Sequence, residues 1–233
     1  PLPVARIIRE TDDACSLVFD IPPQLLALFS YRAGQYLTLR ANVNGEQVER
    51  CYSLSSSPHT DAEHRVTVKA IADGRMSNWL NTSLREGDVI EVMPANGRFC
   101  LRDNAADLLM FSAGSGITPC ISIAKTALAT SARKIHMLYA NRDRASVIFA
   151  DELAALQNQY PERFELIHNL DVENGFVTGE LVRLVAANMA GADCFICGPG
   201  PFMDIVESTL LTAGFDRHDL FVERFLADDN TGE

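Results

Sequence analysis

The hydrophobic pattern divides the chain into two halves of different period. Up to about residue 101, short runs alternate apolar and polar positions between turns. Residues 35–40 and 65–71 alternate at period two, and 88–92 forms a third run after Glu86-Gly87. Pro22-Pro23, Gly34, Gly45 and the 94–97 segment punctuate these runs. Closely spaced strands of this kind predict an antiparallel barrel or sandwich. One helix is expected among them, over residues 77–84, with Ser77 as its N-cap. After Asn104 the pattern changes to continuous apolar runs at 108–112, 135–140, 164–168, 194–197 and 220–222, separated by helical stretches. That alternation predicts a parallel sheet with helices on both faces. The fold class is therefore two domains, an antiparallel β-barrel over 1–103 followed by an α/β domain over 104–233, with the boundary at 102–106.

Composition narrows the class. The 233 residues are 47% hydrophobic and 22% charged, as in soluble globular chains, which excludes wholesale disorder and fibrous repeats. No apolar run reaches the ~18 residues of a membrane span, so no membrane insertion is expected. The start, Pro1-Leu2-Pro3, has neither an initiator Met nor a signal-peptide layout, and export is not expected. The net charge of -11 is uneven: 11 Lys and Arg stand against 13 Asp and Glu up to Asp103, and 9 against 18 thereafter. An acidic chain is a poor partner for nucleic acid or anionic lipid. The nearly neutral first half is rich in arginine, a side chain suited to gripping phosphate. Of the six cysteines only Cys194 and Cys197 have metal-type spacing, and the chain lacks the Cys run of a plant-type iron-sulfur cluster. No metal site is expected, and scattered thiols fit a reducing, cytoplasmic setting.

Two glycine turns carry candidate chemistry. Gly114-Ser115-Gly116-Ile117-Thr118-Pro119 closes the first strand of the second half and opens a helix, where bare backbone and free N–H groups suit a pyrophosphate. Cys197-Gly198-Pro199-Gly200-Pro201-Phe202-Met203 does the same at another strand end. Two such mouths at one sheet edge define a crevice for a dinucleotide, although either turn alone is equally a plain structural connection. Cys197 is placed to pack against a nicotinamide or simply to fill space. In the first half, Arg50-Cys51-Tyr52-Ser53 precedes three serines, and Gly74-Arg75-Met76-Ser77 precedes the helix. Arg50, Tyr52 and the helix start could hold a diphosphate and a planar ring, or be a solvated Arg and a core Tyr.

In order and spacing, these segments together with Glu223-Arg224-Phe225 resemble the ferredoxin-NADP reductase superfamily over nearly the whole chain. Within it the chain is most similar to reductase components of bacterial multicomponent oxygenases of the ketosteroid hydroxylase and phenylacetyl-CoA epoxidase type. The resemblance implies a Greek-key FAD-binding barrel and an NAD(P)-binding α/β domain. It places Arg50 on the FAD diphosphate, Tyr52 against the flavin and Ser53 near flavin N5. Val68, Lys69 and Ala70 would lie beside the adenine half, and Gly74, Met76 and Ser77 at the diphosphate. Gly114, Gly116, Thr118 and Pro119 would serve the NAD(P)H diphosphate, with Thr118 reaching toward the flavin. Cys197 and Gly198 would flank the nicotinamide, Pro199, Phe202 and Met203 would also bind the cofactor, and Glu223 and Phe225 would lie at the exposed flavin edge. Ser53, Thr118, Cys197 and Glu223 are then the candidate catalytic residues.

The implied activity is that of an NAD(P)H-dependent oxidoreductase passing electrons from FAD to a [2Fe-2S] ferredoxin that feeds an oxygenase component. The alternatives are a free-flavin reductase and an FAD-binding electron-transfer subunit that does not itself oxidise NAD(P)H. Relatives of this type carry a ferredoxin-like domain after the Glu-Arg-Phe segment, so the cluster is expected on a further C-terminal domain or on a separate protein. The acidic residues 227–233 read as a linker. Asn141 and Arg142, followed by Asp143 and Arg144, are expected to contact the coenzyme. Arginines could grip a 2'-phosphate that Asp143 would repel, and the balance favours NADH over NADPH. A monomer is expected.

Overall fold

The computed structural model describes residues 1–225; the acidic 227–233 segment lies outside them. A six-stranded antiparallel sheet comprises β1 (Leu2–Thr11), β2 (Ala14–Phe19), β3 (Tyr36–Val43), β4 (Glu46–Ser53), β5 (His64–Lys69) and β6 (Val89–Val92), in the order β4-β3-β6-β1-β2-β5. Its edges meet where Leu54, just past β4, bridges Val66 of β5, and the Ser55 N–H donates to the Arg65 carbonyl at 2.8 Å. That closure turns the sheet into a barrel and removes its free edges. Leu17, Leu37, Leu39, Leu54 and Val66 fill the interior, each fully buried.

Strands β1 and β2 escape a period-two reading for physical reasons. The register of β1 against β2 shifts between Val4 and Arg6 and again between Arg9 and Thr11, so its alternation is broken by bulges. All six residues of β2 are buried: Cys15, Leu17 and Phe19 enter the barrel core, while Ala14 packs into the core of the second half.

Helix α1 (Arg75–Thr82) starts two residues before the predicted position, with Gly74 as N-cap. Ser77 is therefore inside the first turn and is not the cap. Its hydroxyl donates to the Gly74 carbonyl at 3.3 Å and accepts from the Ile71 N–H at 3.4 Å. The loop folds back so tightly that a Cβ at Gly74 would lie 2.4 Å from the Ser77 Oγ. Early helix entry depends on that missing side chain.

The second sheet is parallel: β7 (Leu108–Ala113), β8 (Ile135–Asn141), β9 (Phe164–Leu170), β10 (Asp193–Cys197) and β11 (Leu220–Glu223), ordered β11-β10-β7-β8-β9. Helices α2 (Ile117–Thr130) and α3 (Ala150–Gln159) cover one face through Ile121, Ala124, Leu128, Leu153 and Leu156. After the short α4 (Asp171–Asn174), α5 (Gly179–Val185) and α6 (Gly200–Thr212) cover the other through Val182, Val185, Val206 and Leu210. The chain leaves β7 toward β8 and β9, then returns to place β10 on the opposite side. The order of strands thus reverses between β7 and β10, and the carboxyl ends of those two strands form a ligand crevice in sheets of this type. They carry the two glycine turns, which pack directly on each other. A Cβ at Gly116 would sit 2.1 Å from the Cys197 carbonyl oxygen, and one at Gly198 would sit 2.9 Å from the Ala113 Cβ.

At the opposite sheet edge an ion network ties down the connection between the halves. Arg133 and Asp193 are buried side by side at 2.7 Å. Arg133 also donates from Nη1 to the Arg102 carbonyl at 3.0 Å and from Nε to the Ala106 carbonyl. Asp193 accepts in addition from Arg102 Nη1 and Asn104 Nδ2, both at 3.0 Å. Removing one member of a buried pair strands the other charge, at a cost of about 3–5 kcal/mol. Asp193→Ala is therefore expected to lower unfolding stability by about that amount in urea titration, and to raise proteolysis within residues 102–106.

Candidate functional site

Where barrel and parallel sheet face each other, a cleft is lined from one side by Arg50, Cys51, Tyr52 and Ser53 of β4, Thr67 and Lys69 of β5, Ile71, and Met76 and Ser77 of α1. Ser115, Thr118 and Phe225 line it from the other. The order of strands explains this convergence. Strands β4 and β5 are the two sheet edges that meet on barrel closure, so their residues become neighbours although 14 positions separate Ser53 from Thr67 in sequence. Phe225 is 42% exposed at the cleft margin.

Eight of the sequence-derived candidates meet there: Arg50, Tyr52, Ser53, Lys69, Met76, Ser77, Thr118 and Phe225. Thr67, Ile71, Cys51 and Ser115 also line the cleft, and sequence reasoning misses them. Period two is the signal that finds Thr67: with Lys69 at the cleft, the same strand face carries residue 67, while Val68 turns into the barrel core at 1% exposure. Ala70 donates its N–H to the Asp13 carbonyl at 2.7 Å. Met203 is buried in the core beneath α6, and Phe202 packs against that core, so these two support the second glycine turn from within. Pro119 is buried in the first turn of α2, whereas Pro199 is exposed as the N-cap of α6.

Three strand ends lie side by side and are joined to the cleft through Ser53. The parallel register aligns Ser112 of β7 with Cys197 of β10, and Cys197 with Glu223 of β11. Ser53 reaches across from the barrel and donates its hydroxyl to Glu223 Oε2 at 3.2 Å. Burial lifts the Glu223 carboxyl to about 7, an effect only partly offset by the Ser53 hydrogen bond, so this group exchanges its proton near neutrality. Burial also pushes the Cys197 thiol well above its ordinary range, which keeps it protonated. Cys194 and Cys197 are three residues apart on one strand and belong to cores on opposite faces of the sheet, so the pair cannot close on one metal ion.

Beyond these strand ends, Asn141 ends β8 as a buried residue whose amide has the Tyr139 hydroxyl as its one neighbouring partner among the described residues, leaving most of its hydrogen-bonding capacity unmet. The buried Ser112 hydroxyl has the Cys120 thiol as its neighbour. A buried amide left short of partners is costly, and a bound polar ligand would relieve that cost. Arg142, next along, is exposed and donates from Nε to Asp143 Oδ2 at 2.9 Å. Asp143 is itself fixed by a capping box, accepting from the Ser146 N–H at 2.9 Å while its own N–H donates to the Ser146 Oγ at 3.1 Å. Hydrogen bonding to Arg142 holds the Asp143 carboxyl below its usual range.

The donor set fits an anionic dinucleotide with a planar ring system. Arg50, Lys69 and the first turn of α1 supply positive charge and N–H groups on the barrel side. Tyr52 supplies a ring, and the buried Asn141 amide supplies unmet hydrogen-bonding capacity on the sheet side.

Residues 1–100 match the family model described as the oxidoreductase FAD-binding domain, and residues 110–208 match the oxidoreductase NAD-binding domain. The chain is 45% identical over 225 residues to the 3-ketosteroid-9-alpha-monooxygenase ferredoxin reductase component of Rhodococcus rhodochrous, covering 96% of this chain and 64% of that protein. It is 35% identical to one of the subunits of the 1,2-phenylacetyl-CoA epoxidase of Escherichia coli K12, over 96% of this chain and 67% of that one. The chain thus spans a little under two thirds of the ketosteroid monooxygenase reductase it matches. Among solved structures, the flavohem-like FAD/NAD-binding domain of nitric oxide dioxygenase from Vibrio cholerae superposes with a TM-score of 0.83 at 25% identity, covering 96% of this chain and 97% of that one. Phthalate dioxygenase reductase, described as modular for electron transfer from pyridine nucleotides to [2Fe-2S], superposes with a TM-score of 0.80 at 25% identity, over 98% and 68% of the two chains. With both halves matched in order, and the barrel and parallel sheet arranged as in these structures, the chain belongs to the FAD- and NAD-binding oxidoreductases that include the ferredoxin reductase components of bacterial oxygenases.

Proposed function

We propose that this chain takes a hydride from NAD(P)H onto FAD and releases the electrons one at a time to a [2Fe-2S] ferredoxin domain or protein serving an oxygenase. The observation that carries this reading is the cleft shared by the two halves. Ser53 of the barrel and Glu223 of the sheet are hydrogen-bonded across it, beside the strand end that carries Cys197. FAD, when bound, supplies the conversion from two-electron to one-electron transfer.

The protein's own groups bind, orient and manage a proton. Arg50, Ser77 and the α1 backbone would grip the FAD diphosphate, Lys69 would lie beside its adenine half, and Tyr52 would pack on the ring system. Gly114, Gly116 and Thr118 at one strand end, with Gly198 at the other, let the coenzyme approach these strand ends. Protonated and buried, Cys197 offers a neutral polarizable surface there and adds no charge that would oppose a hydride donor. Ser53 orients the Glu223 carboxyl, which holds a proton below about 7 and releases it above. Asp143 holds Arg142 and stands as a fixed negative charge where a 2'-phosphate would come, so the coenzyme is NADH.

Purified protein is expected to stay yellow through gel filtration, to bleach on addition of NADH, and to recover colour with ferricyanide or cytochrome c. A colourless eluate restored by added FAD would instead indicate a free-flavin reductase, and a yellow protein unmoved by NADH or NADPH would refute the proposed activity.

Bleaching with NADH is expected to exceed that with NADPH by about tenfold or more at equal concentration, and Asp143→Ser to narrow the gap. A preference for NADPH in the unmodified protein would sink the coenzyme assignment.

Glu223 binds a proton in the folded state between its ordinary value of 4.5 and about 7, where the unfolded chain has released it. The group therefore makes folding less favourable as pH rises through that window. Urea titrations at pH 5 and 7.5 should show this loss, and Glu223→Gln should reduce it, Glu10 and Asp171 being raised as well, and remove any step near pH 7 in the acceptor-reduction profile.

A further inference from the structure

The three serines after Ser53 take no part in lining the cleft, yet Ser55, Ser56 and Ser57 are buried at 0%, 1% and 0% exposure. Two of them bind the other half of the molecule. Ser122 of α2 donates to the Ser56 carbonyl at 2.6 Å, and the Ser57 hydroxyl lies 2.8 Å from that of Thr126, also on α2. Around this contact two cations and two carboxylates alternate. Lys125 of α2 donates to Asp61 of the barrel loop and to Glu152 of α3. Glu152 in turn accepts from Arg65 of β5 at 2.8 Å. The Lys125 and Arg65 side chains are only 10% and 17% exposed, so solvent screens this chain of charges weakly. The Arg65 guanidinium also lies over the Phe149 ring at 4.9 Å. Phe149 caps α3 with φ of 63°, a left-handed conformation that a bulky residue holds only when its surroundings enforce it.

Two elements run from this seam to the cleft. On α2, Thr118, Ser122, Lys125 and Thr126 share one face: Thr118 lines the cleft, and the other three form the seam. On β5, Arg65 is in the seam, while Thr67 and Lys69, on the same strand face, line the cleft. The distance from Thr126 to Thr118 along the helix is about 12 Å at 1.5 Å per residue, so a rotation of about 5° at the seam would displace the cleft end by about 1 Å. A misplacement of about 1 Å is enough to cost about a hundredfold in a reaction governed by approach geometry.

Resting on the proposed hydride transfer, we infer that the Asp61–Lys125–Glu152–Arg65 chain is a positioning device. It fixes the angle between the two halves and thereby the approach of coenzyme to flavin, although none of its members lines the cleft.

The test compares wild type with Glu152→Gln in stopped flow, at saturating concentration of whichever reduced nicotinamide bleaches wild type faster. Flavin bleaching is expected to slow by about tenfold or more, with FAD retained and the coenzyme Kd changed by less than about twofold. A second readout needs no cofactor. In a Ser57→Cys/Thr126→Cys background, the rate of disulfide formation in the FAD-free protein, followed by mass, should fall several-fold when Glu152→Gln is added. Once formed, the disulfide should restore the bleaching rate. If Glu152→Gln does not fold, Asp61→Asn is read in the same way. Wild type that fails to bleach refutes the proposed function itself. Wild type that bleaches alongside an equally fast variant overturns only the seam, as does an unaltered cross-linking rate or a locked variant that stays slow.

Discussion

Helix α2 is enclosed along most of its length: eleven of its fourteen residues are buried, with Lys125 among the exceptions. It packs on the parallel sheet through Ile121, Ala124 and Leu128, and Ile123 joins it to Ala33 and Phe99 of the first half in one continuous core. A helix that must satisfy two surfaces needs an apolar face and a small, polar, hydrogen-bonding face, and the sequence ITPCISIAKTALAT has both. Its first turn is set by Gly116, whose backbone touches the Cys197 carbonyl, and its middle is set by the contacts with Ser56 and Ser57. The helix therefore transmits the position of the barrel to the mouth of the sheet. Any looseness in that packing would be felt where β7 and β10 end.

The charges follow the same geometry. Ion pairs that bridge the molecule are placed away from the cleft, one group around Asp193 and another around Glu152, and each carries roughly balanced charge. The strand ends beside Ser53 instead carry Ser112, Cys197 and Glu223, whose carboxyl burial lifts to about 7. Low charge at these strand ends and positive charge at the barrel rim suit a ligand with anionic phosphates and an uncharged ring.

Much of this was legible in the sequence because it depends on local rules. The change from period two to continuous apolar runs separates the two sheets, and the glycine turns mark the strand ends where the parallel sheet reverses order. What escaped depends on contacts between distant segments. β2 is buried on both faces because Ala14 meets the core of the second half and Ser16 is covered by Glu10 and Thr67, which no alternation reveals. Thr67 reaches the cleft only because β5 closes on β4. Gly116 reads as a phosphate turn, but its missing side chain is explained first by the carbonyl of residue 197. The start of α1 before Ser77 follows from the fold-back at Gly74. The seam was visible only as an unexplained run of serines, since its partners Thr126 and Glu152 are 69 and 87 positions from Ser57 and Arg65.

Five of the six cysteines, Cys15, Cys100, Cys120, Cys194 and Cys197, have thiols raised above their ordinary range, with burial the first cause in each case. Peroxides attack the thiolate, so a thiol kept protonated is a slow target for oxidation to sulfenic acid. The exposed Cys51 lines the cleft. A fold that hides its sulfur in this way leaves Cys51 as the one thiol open to such oxidants.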